Sequence, residues 1–177
     1  LQLTLPPMAV GLFEWSPDSL RLAFVADGTG GREPGVVHVV SRDGGKPLSF
    51  HDPHGNPVWD PCWLGPDTIA WGNLRGAEAG VFTARLPEGA PAKLPGSDGM
   101  MGAKCARDGR ILAARAWSLG YWLYDPRRGR WEDIGQPSNL WYPTWARDGE
   151  TVYGLSLDER EVQRFRVGRP GRETVAG

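Results

Sequence analysis

The sequence predicts an all-β protein, a β-propeller whose blades each have four antiparallel strands. Three observations predict it. A short motif ending in Asp recurs four times, at Asp18, Asp67, Asp108 and Asp148, spaced by 49, 41 and 40 residues. A Gly-containing turn recurs in register with that motif. Gly and Pro interrupt every window long enough to hold a helix. A period of roughly 40 to 45 residues is that of a four-stranded propeller blade.

The four motif segments are FEWSPDSLRLAF from Phe13, CWLGPDTIAW from Cys62, AKCARDGRILAA from Ala103 and PTWARDGETVYG from Pro143. In each, a short apolar strand ends in Pro-Asp or Arg-Asp followed by Ser, Thr or Gly. Asp bonds its own backbone two residues on, and Gly accepts positive φ, so the segment reads as a tight hairpin turn. The second strand of each blade follows: Leu20 to Val25, Thr68 to Trp71, Ile111 to Ala116 and Thr151 to Leu155. Their alternation is imperfect, as expected for sheets buried on both faces.

Third strands are expected at Val36 to Ser41, Val81 to Leu86, Tyr121 to Tyr124 and Val162 to Val167. The second marker then comes at Gly45, Gly89, Gly129 and Gly171, lying 27, 22, 21 and 23 residues after the anchor Asp. The extra length of the first unit falls in the polar, Gly-rich Asp27 to Gly35, where insertion is tolerated. Short fourth strands are expected at Pro47 to Phe50, Ala92 to Leu94, Trp131 to Ile134 and Glu173 to Val175. The blades therefore span 13–56, 57–98, 99–139 and 140–177, with 1–12 as the tail of a preceding blade.

Composition agrees with a packed β-fold. The chain has 177 residues, 40 % hydrophobic and 23 % charged, enough for one domain with a core. Its 25 Gly and 16 Pro are spread evenly, which means many turns rather than disorder. Nine Trp point the same way. Net charge is −1 with no long run of one sign, so the chain lacks the electrostatic footprint of a nucleic-acid binder. No apolar stretch of about 20 residues is present to serve as a membrane segment.

Candidate chemistry is sparse. The nearest string to a G-x-S-x-G nucleophile elbow is Gly154-Leu155-Ser156-Leu157-Asp158, which lacks the last Gly and reads as strand and turn. His51-Asp52-Pro53-His54 brings two imidazoles and a carboxylate together. Asp-Pro and Gly55-Asn56-Pro57 make the segment an inter-blade loop, with a weak metal site as the other reading. Cys62 and Cys105 fall on the first strands of the second and third blades and are expected to be buried free thiols. Trp15, Trp63 and Trp145 recur at the end of the first strand in three of the four blades and so pack between blades. Trp59, Trp117, Trp122, Trp131 and Trp141 are less regular, and rim positions among them would stack on a sugar or anchor a partner. Charged strings at Arg127 to Arg130 and Asp158 to Glu161 fall at hairpin tips. No catalytic residue, metal ligand or cofactor site is assigned.

The anchors Trp15-Ser16-Pro17-Asp18-Ser19 and Trp145-Ala146-Arg147-Asp148-Gly149 resemble the W-S-P-D-G motif of TolB-type, WD-like propeller repeats. Further strings carry a closer resemblance: LQLTLPPM at Leu1 to Met8, VVSRDGGKPL at Val39 to Leu48, LPGSDGM at Leu94 to Met100, LYDPRRGRWEDIG at Leu123 to Gly135 and YPTWARDGETVYG at Tyr142 to Gly154. These are similar to the propeller portion of bacterial regulators in which a winged-helix domain is joined to it through a membrane segment. The resemblance implies a non-catalytic sensor or interaction module, extracytoplasmic, with a protein or small ligand bound at a propeller face. It also implies that Leu1 to Thr4 end a preceding blade and that these four blades belong to a larger propeller of about six to eight. The propeller of a prolyl-oligopeptidase-type serine peptidase, gating substrate access, is the alternative, and a carbohydrate-binding propeller is a third. The second repeat departs from the pattern by one extra residue, and the third has Cys105 where Trp15 and Trp145 stand.

Overall fold

The computed structural model describes residues 3, 9–27, 35–73, 79–115 and 120–177. They form four separate antiparallel sheets of four strands each, arranged as propeller blades. Blade 1 contains β1 (Ala9–Trp15), β2 (Arg21–Asp27), β3 (Val36–Ser41) and β4 (Leu48–Phe50). Blade 2 contains β5 (Val58–Gly65), β6 (Thr68–Asn73), β7 (Val81–Arg85) and β8 (Ala92–Lys93). Blade 3 contains β9 (Met100–Cys105), β10 (Ile111–Arg115), β11 (Gly120–Asp125) and β12 (Arg130–Pro137). Blade 4 contains β13 (Leu140–Trp145), β14 (Thr151–Ser156), β15 (Val162–Arg166) and β16 (Glu173–Ala176). Within each sheet, strands pair in chain order. The first strands are innermost and adjacent: β1 lies beside β5, β5 beside β9, and β9 beside β13.

Three of the four turns after the first strands are made as their residues dictate, while the Asp67 carboxylate instead accepts from the Arg21 guanidinium of blade 1 at 2.9 Å. Asp148 accepts hydrogen bonds from the Glu150 and Thr151 amides and from the Thr151 hydroxyl, at 2.9, 2.9 and 2.7 Å. These bonds, the Glu150 amide first, pull its carboxyl down to about 2. Asp18 and Asp108 accept from the Leu20 and Arg110 amides in the same way. Gly109 and Gly149 take the positive φ that closes the turn. Leu20 belongs to this turn, and β2 starts at Arg21. β12 runs past the expected Ile134 to Pro137, because Gly135, at φ 65°, makes a bulge after which Gln136 pairs with Tyr121. The expected strand at Leu1 to Thr4, the insertion loop and Trp117 lie largely or wholly outside the described residues.

Second strands alternate between two neighbours, and this builds the core. In β6, Ile69 and Trp71 face blade 1, packing with Val37, Val39 and Phe50, while Ala70 faces blade 3 with Met100 and Ile111. In β10, Ile111 and Ala113 face blade 2, and Leu112 faces blade 4 with Leu140, Val152 and Phe165. Each blade thus buries one face against each neighbour, the arrangement expected of repeats that cannot bury a core alone.

Candidate functional site at the inner strands

Every innermost strand carries a register irregularity at the same place: β1 between Val10 and Phe13, β5 between Trp59 and Cys62, β9 between Met101 and Lys104, and β13 between Trp141 and Thr144. Equivalent residues in blades 2 to 4, three before the repeating Trp or Cys, have positive φ: Asp60 at 50°, Gly102 at 66° and Tyr142 at 51°. For Asp and Tyr this backbone costs on the order of 1 kcal/mol or more, and bulges of this kind re-aim side chains at functional edges. Asp60 is directed at the next blade, where Lys104 donates to its carboxylate at 2.7 Å. A side chain at Gly102 would approach that same carboxylate at 3.1 Å.

Glu14 of β1 shares this electrostatic neighbourhood. Burial raises its carboxyl to about 7, Lys104 opposing the shift and Asp60 adding to it. Three blades therefore contribute to one inner group: a carboxyl that titrates near neutrality and a lysine–aspartate ion pair. Below it, a cavity of about 510 Å³ is lined by Glu14, Trp15 and Ser16 of blade 1, Trp63 of blade 2, and Cys105 and Arg107 of blade 3. At the opposite ends of the inner strands, Trp59 and Trp141 occupy equivalent positions and are 43 and 49 % exposed, and Tyr142 is 58 % exposed. The Trp141 indole donates to the Leu157 carbonyl at 3.3 Å, which fixes that ring in place. Half-exposed aromatic rings of this kind suit stacking on a planar or sugar face.

Two of the three repeating Trp residues, Trp63 and Trp145, hold blades together through a main-chain acceptor. The Trp63 indole donates to the Glu14 carbonyl at 3.0 Å, and the Trp145 indole donates to the Lys104 carbonyl at 2.8 Å. Between blades 2 and 3 the device is different, and the expectation of free thiols is overturned. Cys62 and Cys105 form a disulfide, with Cα atoms 5.5 Å apart. The reason lies in the repeat. Cys105 holds the position of the donating Trp, and Cys62 holds the position of Glu14 and Lys104, whose carbonyls accept. The two cysteines are the two halves of one junction. Close approach of the sheets helps, since a side chain on Gly72 would come within 2.4 Å of the Gly102 backbone. At Trp15, 47 % exposed, no described residue accepts a bond from the indole.

The other sequence candidates are placed as turns. Asp52 is buried and accepts from the His54 and Asn56 amides and from the side chains of Asn56 and Asn73, at 2.9 to 3.1 Å. It organises the inter-blade loop, with His51 and His54 exposed on either side. Among the described residues no group of three His, Cys, Asp or Glu is arranged to hold a metal ion. The Ser156 hydroxyl donates to Asp158 at 2.5 Å and accepts the Glu161 amide at 3.0 Å, closing a turn as Ser16 does with Asp18 and Arg21. The chain's histidines are His38, His51 and His54, so none lies in the blade that holds Ser156. No helix among the described residues is long and apolar enough to cross a membrane. Sequence reasoning missed Glu14, Asp60 and Lys104. The signal was present for two of them: Glu14 and Lys104 are charged residues inside the short apolar strands that precede the anchor aspartates.

Solved structures share this fold. The chain superimposes on a putative TolB from Agrobacterium tumefaciens with a TM-score of 0.71 and 17 % identity, over 92 % of this chain and 63 % of that one. A puromycin-hydrolysing peptidase of Mycobacterium tuberculosis gives 0.74 at 19 % identity, over 99 % of this chain and 30 % of that one. A chain of the nidogen–laminin complex gives 0.74 at 11 %, over 99 % and 66 %. The chain thus spans between about a third and two thirds of these proteins. No protein-family model matches the sequence, and neither does any curated protein. The likeness is one of fold: this is a propeller module.

Proposed function

We propose that the chain is a non-catalytic binding module that takes a protein segment or small ligand at the inner ends of its blades. The observation that carries this reading is the repeated bulge. It sets Asp60 against Lys104 and leaves Trp59, Trp141 and Tyr142 exposed along the inner strands. Exposed aromatic platforms and a fixed ion pair carried on the same set of inner strands are the elements of a recognition site, and strain held at one repeated position supports a functional edge. The motifs that resemble the propeller of winged-helix membrane regulators support a sensor role on the extracytoplasmic side. The disulfide supports the same compartment, since such bonds persist in oxidising surroundings.

The test is a binding screen of oligosaccharides and extended peptides against the chain and a Trp59→Ala/Trp141→Ala double variant. Binding that disappears in the double variant, with near-ultraviolet circular dichroism preserved, supports the reading. Ligands held equally by both proteins reject this site.

A second reading is the propeller of a serine peptidase, favoured by the match to 30 % of the mycobacterial peptidase. It predicts an α/β-hydrolase segment with a G-x-S-x-G elbow encoded beside this chain in the same gene. The regulator reading predicts a DNA-binding segment and a membrane helix there. Sequencing the gene separates the two.

A further inference from the structure

We infer that the Cys62–Cys105 bond is a thiol–disulfide exchange site, opened from the cavity, whose substrate is a dithiol reductant. Three observations carry this. Cys105 lines the cavity of about 510 Å³ and is partly exposed, whereas Cys62 is completely buried. The bond occupies the one junction, of the three described, where an indole-to-carbonyl bond is replaced. Lys104, next to Cys105, connects both ways: its ammonium holds Asp60 of blade 2, and its carbonyl holds Trp145 of blade 4.

The chemistry follows from access. A thiolate of the reductant enters the cavity and attacks the Cys105 Sγ, and the Cys62 Sγ leaves with the bonding electron pair and takes up a proton. The second thiol of the reductant then attacks the reductant's own sulfur in the mixed disulfide. It leaves as a closed disulfide and releases Cys105, which also takes up a proton. Two electrons and two protons pass from the dithiol to the protein. The reduced junction has neither the covalent bond nor an indole donor, since Cys105 stands where the other junctions have a Trp. The inner strands β5 and β9 loosen, and the Asp60–Lys104 pair loosens with them. The site therefore acts as a redox control on the inner edge of blades 2 and 3.

The experiment treats the full chain with dithiothreitol under native conditions and follows thiol release and amide hydrogen exchange together. Release of both thiols without denaturant, with exchange rising roughly a hundredfold across β5 and β9 and unchanged in β3, is the expected result. Thiols that appear only in denaturant would overturn the inference, and so would reduction that leaves exchange in β5 and β9 unchanged. Single variants test the direction of attack. The Cys62→Ser chain should react with an aromatic disulfide reagent at least about tenfold faster than the Cys105→Ser chain. Equal or reversed rates would place the entry elsewhere and refute it.

Discussion

Blade 2 and blade 4 have the same strand plan and opposite surroundings. β6 of blade 2 is buried at five consecutive residues from Ile69 to Asn73, while β16 of blade 4 is exposed at all four of its residues. Blade 2 is flanked on both sides, so Trp71 lies fully buried between Phe50 of blade 1 and Phe82 of its own sheet. Blades 1 and 4 carry nearly all of the exposed large hydrophobics among the described residues, including Phe13, Trp15, Trp141, Leu157 and Val175. Burial in this molecule is therefore a property of having two neighbours and only secondarily of a blade's own sequence.

The comparison is open to attack by substitution. Trp71→Ala removes the largest fully buried side chain between blades 1 and 2 and should cost about 3–5 kcal/mol in urea unfolding. Val175→Ala on β16 should stay within about 0.5 kcal/mol of the parent. Similar losses at both positions would break the contrast. Gly72→Ala tests the closeness of blades 2 and 3. Its methyl group meets Gly102 backbone atoms, which cannot move aside as a flexible side chain would, so a loss of about 1–3 kcal/mol is expected.

Glu14 gives a pH-dependent version of the same test. Its folded carboxyl titrates at about 7 and its unfolded one near 4.5. As pH rises, the unfolded chain loses this proton first, so the residue destabilises the fold progressively across that window and fully above it. Glu14→Gln should therefore be more stable than the parent above pH 7 by on the order of 2 kcal/mol, and equal to it near about pH 4. Urea titrations at the two pH values decide, and an unchanged difference would remove the buried carboxyl from the account. A smaller loss than at Trp71 is expected from Trp63→Phe and Trp145→Phe, which keep the ring but lose the indole donor. Each should cost about 1 kcal/mol, read as a shift in the urea midpoint.

Much of the fold was legible because each unit punctuates itself. The expected Val36 to Ser41 strand matches β3 residue for residue, and the turns close on three of the four anchor aspartates, Asp18, Asp108 and Asp148, as Asx chemistry requires. The bulges were not legible. Positive φ at Asp60 and Tyr142 follows from the pairing of an inner strand with its neighbour, and neither residue type announces it. The disulfide was half legible. Cys105 was seen in the place of a Trp, but the partner position became visible only once the indole of one blade was seen to reach the residue before the Trp of the blade preceding it. What Glu14 and Lys104 face depends on neighbouring blades: burial for Glu14, and Asp60 of blade 2 for Lys104.

At both indole junctions the accepting atom is a carbonyl oxygen, which every amino acid supplies. Blade assembly therefore does not depend on which side chain stands at that position. Glu14 and Lys104 are interchangeable as far as joining neighbouring blades is concerned, while their side chains set the character of the inner wall. Such a scaffold separates its mortar from its inscription, and one and the same set of blades can be rewritten for a new guest without being rebuilt.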